Sequence, residues 1–220
     1  MQQKKYELTD EMKSVMGKNL HRIRYLIDIP AHGIDAGDLG GWVENEENLS
    51  QTGNCCVIGN GCVLENGRVT ENGCVAENGQ VAGNGQVAEN GCVIGNGRVD
   101  ENGRVAGHGW IAENGCVIGN GRVNDSGRVD GHGCVTDDGL VTANCDIVMI
   151  TGFLEENRTI TFYRKKSGGI GVACHEFTGT LDGFRKNMQD IYGISEIVKE
   201  YLMIADLMEM HFARLGVRNE

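Results

Sequence analysis

The sequence predicts a mainly β protein in which short strands alternate with tight corners. Aliphatic residues return at every sixth position from Val57 to Ile147, sixteen times without a slip. A period of six is divisible by two but not by 3.6, so it suits strands and excludes a continuous amphipathic helix. Three positions after each of the first fifteen comes a corner residue, which is Asn in most repeats and is followed by Gly in all but the last, where Cys145 stands. Because Asn-Gly pairs tolerate positive φ, each repeat is expected to supply one strand and one corner.

The six-residue unit resembles the hexapeptide repeat of left-handed parallel β-helices. That resemblance implies three repeats for each triangular coil, with about 18 residues a coil and about five coils in all. At the ~4.8 Å spacing of strands, such coils would form a rod of roughly 25 Å. The valine columns would fill the interior of this rod. A disordered Gly-rich linker, which is the alternative, would not need aliphatic residues in register.

The repeat divides the chain into three parts. We expect a strand-rich N-terminal cap over residues 1–41, the β-helix over 42–151, and a β-hairpin followed by helices over 152–220. Within the caps, residues 18–29 alternate well enough for a strand, and residues 159–177 are typical of two strands joined by a Ser-Gly-Gly turn.

The C-terminal part also predicts two helices. Thr180 can cap a helix over residues 181–192, and Ser195 can start another. The second helix carries an apolar stripe that would pack on the rod or on a partner helix. The residues of this stripe are Ile197, Val198, Tyr201, Leu202, Ala205, Met208 and Phe212.

Acidic charge is concentrated in the repeat. The chain has a net charge of −11, and residues 41–151 carry five basic and fifteen acidic groups. Binding of nucleic acid through a basic surface is therefore not expected for this part. Alternation with Gly keeps most carboxylates of one corner two coils apart, which favours solubility with limited self-repulsion; mimicry of DNA by an acidic rod is the sharper alternative. The acidic residues that recur every twelve positions are Glu77, Glu89, Glu101, Glu113, Asp125 and Asp137.

The cysteines and the N-terminal segment point to the cytoplasm. Nine cysteines, without the spacing of a secreted scaffold, indicate reduced thiols. The first residues lack the apolar stretch of a signal peptide, and no later run of residues is expected to span a bilayer. We therefore expect no contact with a membrane.

Side chains next to the first valine column predict an apolar outer surface, which we call face one. Its residues are Cys56, Ile58, Cys74, Ala76, Cys92, Ile94, Trp110 and Ala112. A contiguous apolar patch usually marks an interface, so we expect either a homodimer or homotrimer through face one, or the C-terminal helix lying over it. The column of cysteines could bind a soft metal ion or form a cross-link, but thiols packed at an interface are the preferred interpretation. No metal or cofactor site is assigned.

An acyltransferase that uses acyl-coenzyme A is the enzyme alternative, because many proteins of the resembled fold move acyl groups. Such an enzyme needs a general base, commonly His. His108 and His132 are the two histidines of the repeat, and each replaces a corner Asn on a different face. They are weak catalytic candidates, because a simple corner substitution accounts for both.

A more specific resemblance comes from the two ends of the chain. The leader AGDLGGWVENEENLSQ at 36–51, the repeats, and a tail with TFYR and GGIGVAC are similar to uncharacterised prophage-associated hexapeptide-repeat proteins related to the YdcK-like proteins. That resemblance implies a fold and a mobile-element origin, and no established activity. The sequence therefore predicts a non-enzymatic acidic scaffold that binds a host or phage protein, with inhibition of a defence factor as one outcome.

Overall fold

The computed structural model describes residues 3–152, 159–174 and 177–216. Three sets of strands are present in this part: an N-terminal hairpin, a long run of short strands, and a C-terminal sheet followed by two helices. The hairpin strands are β1 (Tyr6–Val15) and β2 (Lys18–Tyr25). The next strands are β3 (Leu39–Val43), β4 (Cys56–Val57), β5 (Cys62–Val63), β6 (Arg68–Val69), β7 (Cys74–Val75), β8 (Gln80–Val81), β9 (Gln86–Val87), β10 (Cys92–Val93) and β11 (Arg98–Val99). They are followed by β12 (Arg104–Val105), β13 (Trp110–Ile111), β14 (Cys116–Val117), β15 (Arg122–Val123), β16 (Arg128–Val129), β17 (Cys134–Val135) and β18 (Leu140–Val141).

The short strands stack into a β-solenoid of about six turns, which confirms the predicted mainly β, parallel β-helical fold. Every third strand belongs to the same parallel sheet. The sheet of face one runs β4-β7-β10-β13-β16, the second runs β3-β5-β8-β11-β14-β17, and the third runs β6-β9-β12-β15-β18. About one turn more is present than predicted, because Val43 pairs with Val63 and Leu49 with Val69 ahead of the first full coil.

The interior of the solenoid consists of the predicted aliphatic columns. Every one of these residues from Val57 to Val141 has an exposed fraction of 0%. Burial of a valine side chain contributes roughly 1.5 to 3 kcal/mol, so the columns supply the main stabilising term of the rod. The sixteenth position, Ile147, leaves the solenoid and pairs antiparallel with Tyr163 in the C-terminal sheet.

The corners differ from the prediction that Asn-Gly adopts positive φ. The left-handed residue is the one before Asn, for example Glu77 with φ 57° or Gly83 with φ 58°. The Asn side chain instead bonds along the rod, since Asn78 Nδ2 donates to Asn96 Oδ1 at 3.2 Å. The sequence suggested local turn chemistry, whereas the Asn residues form ladders between coils.

A break in one Asn ladder gives a first test of the corners. Asn78 donates to Asn96 and accepts from Asn60, so we expect Asn78→Ala to lower the free energy of unfolding by about 1 to 2 kcal/mol. The matched control is Asn120→Ala at the end of a ladder, where one amide bond, from Asn102, is lost and about half the effect is expected. Urea denaturation of both variants measures the difference, and equal losses would contradict the ladder interpretation.

The Gly that follows each corner Asn is required by the close approach of the next coil. An added Cβ at Gly103 would lie 2.5 Å from the Val117 carbonyl oxygen and 3.0 Å from that of Asp100. Gly79 is in the same situation, with a Cβ that would lie 2.6 Å from the Val93 oxygen. These glycines therefore set the spacing between coils.

The N-terminal hairpin extends the second sheet. Strands β1 and β2 are antiparallel, and β2 pairs antiparallel with β3 at the edge of the solenoid. Among the described residues β4 is the edge strand of face one, and the Tyr25 hydroxyl occupies this edge: it accepts from Val57 N at 2.9 Å and donates to Val57 O at 3.0 Å. The first coil is thus closed by a strand on one side and by a phenol on another.

The C-terminal cap has its own sheet, helices and core. Its antiparallel strands are β19 (Ile147–Thr151), β20 (Thr159–Arg164), β21 (Ile170–Cys174) and β22 (Phe177–Thr180), and its helices are α1 (Leu181–Tyr192) and α2 (Glu196–Gly216). Thr180 caps α1 as predicted, because its hydroxyl accepts from Gly183 N at 3.1 Å.

The buried side of α2 joins a cluster with Phe162 and Phe184 of this cap, so α2 does not cover face one. Ile197, expected in the apolar stripe, is 41% exposed. Among the described residues no helix is long and apolar enough to cross a membrane.

Candidate functional site

Face one is partly covered by the chain itself. A turn that follows β2 places Ile29 and Ile34 in the same buried cluster as Cys56 and Cys74, which are 0% and 9% exposed. This cover comes from the N-terminal segment and not from the C-terminal helix. Cys56 and Cys74 therefore do not form part of a surface that another protein could contact while the segment is in place.

The remaining predicted residues of face one differ in exposure. Ala76 and Ala112 are also buried, whereas Ile58, Cys92 and Ile94 are half-buried. Trp110 is 37% exposed, and the Arg128 guanidinium lies 5.9 Å from the centre of its ring. The accessible part of face one is thus the strip around Cys92, Ile94 and Trp110.

The covering turn brings His32 to the cysteine column. One ligand atom from each of His32, Cys56 and Cys74 lies within 4.8 Å of the other two. The two thiols come from paired parallel strands, β4 and β7, and Cys74 also pairs with Cys92 of β10. Sequence reasoning missed His32, because nothing in its local spacing connects it with residues 24 and 42 positions further along the chain.

The turn that carries His32 is held rigidly. Ile29 and Ile34 bond to each other in both directions, with Ile29 N to Ile34 O at 2.8 Å and Ile34 N to Ile29 O at 3.3 Å. His32 ends a short 3₁₀ turn, and its amide donates to Ile29 O at 3.0 Å. Because Ile29 and Ile34 are buried, the imidazole is positioned by the core and remains half-buried itself.

Hydrogen bonds between the stacked cysteines shift the pKa values of their thiols in opposite directions. Bonds from Cys56 and from Cys92 lower the pKa of Cys74, and the nearby His32 acts in the same direction. The bond to Cys74, together with burial, raises the pKa of Cys56, and the same causes raise the pKa of Cys92. These hydrogen bonds couple the protonation of the three thiols, and the thiolate is the form of cysteine that acts as a nucleophile or metal ligand.

A second cysteine pair departs from the expectation of reduced thiols. Cys116 and Cys134 occupy equivalent positions on neighbouring coils of the second sheet, with Cα atoms 4.7 Å apart, and form a disulfide. Stacking of cysteines in register places two sulfurs within bonding reach. Cys56, Cys74 and Cys92 are stacked in the same manner and carry free thiols.

The six predicted acidic residues all lie at exposed corners with positive φ, between 50° and 57°. Two of these carboxylates, those of Glu77 and Glu89, also have a structural role that the sequence did not reveal. The Glu77 carboxylate accepts from Gly95 N at 3.0 Å, and Glu89 accepts from Gly107 N at 2.8 Å. A carboxylate therefore satisfies the amide of the left-handed residue in the next coil, as well as contributing charge.

The two candidate bases lie apart from one another and from the cysteine column. His108 and His132 are exposed and stand where the Asn ladders end, one coil beyond Asn90 and Asn114. In the described part of the chain neither imidazole bonds to a carboxylate that could orient it. Their placement is that of corner residues.

An open cavity of about 570 Å³ lies in the C-terminal cap, between the β20–β21 turn and α2. Its lining is mixed in charge and includes Arg164, Lys165, Asp182 and Glu209. None of the residues predicted as functional lines it. The cavity is therefore separate from the cysteine column.

Comparisons with protein-family models and with curated proteins assign no function to these features. The chain matches no protein-family model. A search of curated proteins found no significantly similar sequence. The chemistry of the site therefore follows from its own residues.

Proposed function

We propose that the chain is a non-enzymatic binding scaffold that self-associates through the accessible strip of face one. One observation carries this proposal: the accessible apolar strip of Cys92, Ile94 and Trp110 lies on a rod whose corners are acidic. An exposed tryptophan beside half-buried apolar residues is typical of the centre of a protein interface. The rest of the rod would remain free for a second partner.

Charge explains why the strip suits contact between two copies. Each copy has a net charge of −11, so two copies approach most easily where carboxylates are absent. On face one the residues beside Val93 and Ile111 are uncharged, while the second sheet carries an Arg98–Asp100 ion pair and the third carries Arg104 and Arg122. The face-one side chains beside Val93 and Ile111 therefore form a patch where contact requires little desolvation of charge, and the Arg128–Asp130 ion pair of the next coil bounds this patch.

The uninterrupted repeat argues against catalysis within the solenoid. Short strands follow one another every six residues from β4 to β18, with no inserted loop to enclose a substrate. For the acyltransferase alternative, calorimetry with millimolar acyl-coenzyme A is the direct test. Heat of binding that disappears in His108→Ala or His132→Ala would favour the enzyme over the scaffold.

The second partner in this proposal is a cytoplasmic host or phage protein, in keeping with the resemblance of the leader and tail to prophage-associated proteins. DNA mimicry is one route to such binding. The carboxylates of Glu77 and Glu89 also stabilise the corners through hydrogen bonds to the next coil, so their presence does not require mimicry of DNA. A mimic would compete with DNA for a captured partner, and the competition should weaken as salt rises.

Substitution of Trp110 tests self-association. We expect Trp110→Asp to weaken assembly at least about 30-fold, because loss of a central tryptophan and burial of a new carboxylate both oppose contact. Sedimentation equilibrium would then show a dimer or trimer for the parent and a monomer for the variant. The matched control is Gln86→Asp, an exposed position at the equivalent place on the third sheet, which should assemble like the parent. A monomeric parent, or equal masses for parent and Trp110→Asp, would contradict the proposal.

A further inference from the structure

We infer that His32, Cys56 and Cys74 form a binding site for a thiophilic metal ion, Zn²⁺ or Cu⁺. The inference is independent of the proposed scaffold function. It rests on three convergent ligand atoms, on the rigidity of the elements that carry them, and on the softness of the ligand set. The bound ion would join the N-terminal cap to the first two coils of the solenoid.

The distances suit coordination. The imidazole nitrogen and the two sulfurs lie within 4.8 Å of one another. Around a tetrahedral Zn²⁺ with Zn–S bonds of roughly 2.3 Å and Zn–N bonds of roughly 2.0 Å, ligand atoms are separated by about 3.6 to 3.8 Å. Closure from 4.8 Å shortens a distance between two ligand atoms by at most about 1.2 Å. Rotation about the Cys and His side-chain bonds supplies such a shift without moving the backbone.

The three ligands come from elements that are already fixed. Cys56 and Cys74 stand on paired strands of one parallel sheet, and both strands are anchored by interior valines that are 0% exposed. His32 stands on the turn closed by the reciprocal bonds of Ile29 and Ile34. Pre-positioned ligands bind a metal ion more tightly, because little conformational entropy is lost on binding.

A second pair of stacked cysteines differs from Cys56 and Cys74 in its oxidation state. Cys116 and Cys134 have the same register on another sheet and form a disulfide. Cys56 and Cys74 remain thiols, and the segment that covers them brings a half-buried histidine, a potential metal ligand, close to both. The imidazole adds a third ligand and leaves a route from solvent to the ion.

The ligand set selects the class of metal. Two thiolates and an imidazole favour Zn²⁺ and Cu⁺ over Mg²⁺ and Ca²⁺, which prefer oxygen ligands. No carboxylate belongs to the described group. The fourth position of Zn²⁺ would be filled by solvent or by Cys92, whereas Cu⁺ is satisfied by three ligands.

Competition with a chromophoric chelator tests the site in the full-length reduced protein. We expect the parent to take one Zn²⁺ or Cu⁺ per chain. Cys74→Ser should weaken binding at least about 100-fold and His32→Ala at least about 10-fold, since loss of a direct ligand costs at least as much as loss of its supporting partner. The matched control is Cys62→Ser, which removes a buried thiol from the second sheet and should leave affinity unchanged.

X-ray absorption identifies the ligands directly. The metal-loaded parent should show two sulfurs at about 2.3 Å and at least one nitrogen at about 2.0 Å for Zn²⁺. Titrations with Zn²⁺ and with Cu⁺ are run separately, and the resident ion is the one whose tight binding is lost in both ligand variants. Because His32 is half-buried, the His32→Ala variant is expected to fold even if Cys74→Ser does not. Thermal melting of each variant checks that it is folded.

Three outcomes would overturn the inference. The first is a parent that binds neither ion in competition with the chelator. The second is binding that Cys62→Ser weakens as much as Cys74→Ser does. The third is a folded His32→Ala with the affinity and the nitrogen signal of the parent.

Discussion

Gly103→Ala is expected to lower the free energy of unfolding by at least about 3 kcal/mol, because a new methyl group would collide with fixed backbone. The added Cβ would lie 2.5 Å from the Val117 oxygen, and that oxygen already accepts from Asp100 N at 3.0 Å. Relief of the collision would require the two coils to separate, which breaks this bond and its neighbours. Urea denaturation should show a large drop in the midpoint, accompanied by loss of the β signal in circular dichroism.

Gly131→Ala is the matched control for Gly103→Ala. Gly131 has φ +56°, and the nearest atom to its new Cβ would be a Glu113 carboxylate oxygen at 3.8 Å. Only left-handed strain is then added, at a cost of about 1 to 2 kcal/mol. If the two substitutions destabilised the protein equally, the close approach of coils would not be the reason for Gly after Asn.

Tyr25→Phe should cost about 2 to 4 kcal/mol although it removes a single oxygen atom. The Tyr25 hydroxyl bonds both to the amide and to the carbonyl of Val57, and both residues are 0% exposed. The substitution leaves two buried backbone groups without a partner at the open edge of face one. Thermal or urea denaturation measures the loss.

Burial also raises the pKa of Tyr25 above its ordinary value of 10.0. The phenol therefore stays protonated in the folded state and keeps donating its proton. The stability that it contributes is fully present below pH 10.0 and is lost as the pH rises from there toward the folded-state pKa. The parent should lose stability in this alkaline range, and Tyr25→Phe should lose less.

Tyr163→Phe serves as the control for Tyr25→Phe. Tyr163 is equally buried, and its hydroxyl bonds to the Thr136 hydroxyl at 2.7 Å, a side-chain partner that can rotate to adapt. A loss of about 1 kcal/mol is expected. Comparable losses for the two tyrosines would show that the edge of β4 is satisfied in another way.

The sequence was sufficient to predict the solenoid, because its signal is a long-range repetition of a local pattern. The positions of the valines predicted the strands and the inward side of each sheet. The end of the rod was predicted wrongly, because residues 147–151, expected within the β-helix, form a strand of the C-terminal sheet. The corners were predicted less well. Positive φ was expected at Asn-Gly, whereas Glu77 and its equivalents adopt it, because the Asn side chains are used between coils.

The candidate site could be predicted only in part. The column of Cys56, Cys74 and Cys92 followed from the 18-residue coil. The cover over it did not, because residues 26–38 have no repeat that fixes where they lie. His32 reaches the column through the packing of Ile29 and Ile34, a tertiary contact without a local sequence signal.

The carboxylate caps of the corners limit how the rod can change in length. A coil is completed every 18 residues, as the Asn ladders show, whereas from Glu77 to Asp137 an acidic residue returns every 12. The shortest segment that preserves both rhythms spans 36 residues, which is two coils. Deletion or duplication of a single coil there would keep the valines aligned but would set carboxylate above carboxylate at the junction, as already occurs where Glu89 N donates to Glu71 Oε2 at 2.8 Å. Addition or removal of a pair of coils introduces no further contact of this kind, so we expect natural length variants of this rod to differ more often by pairs of coils.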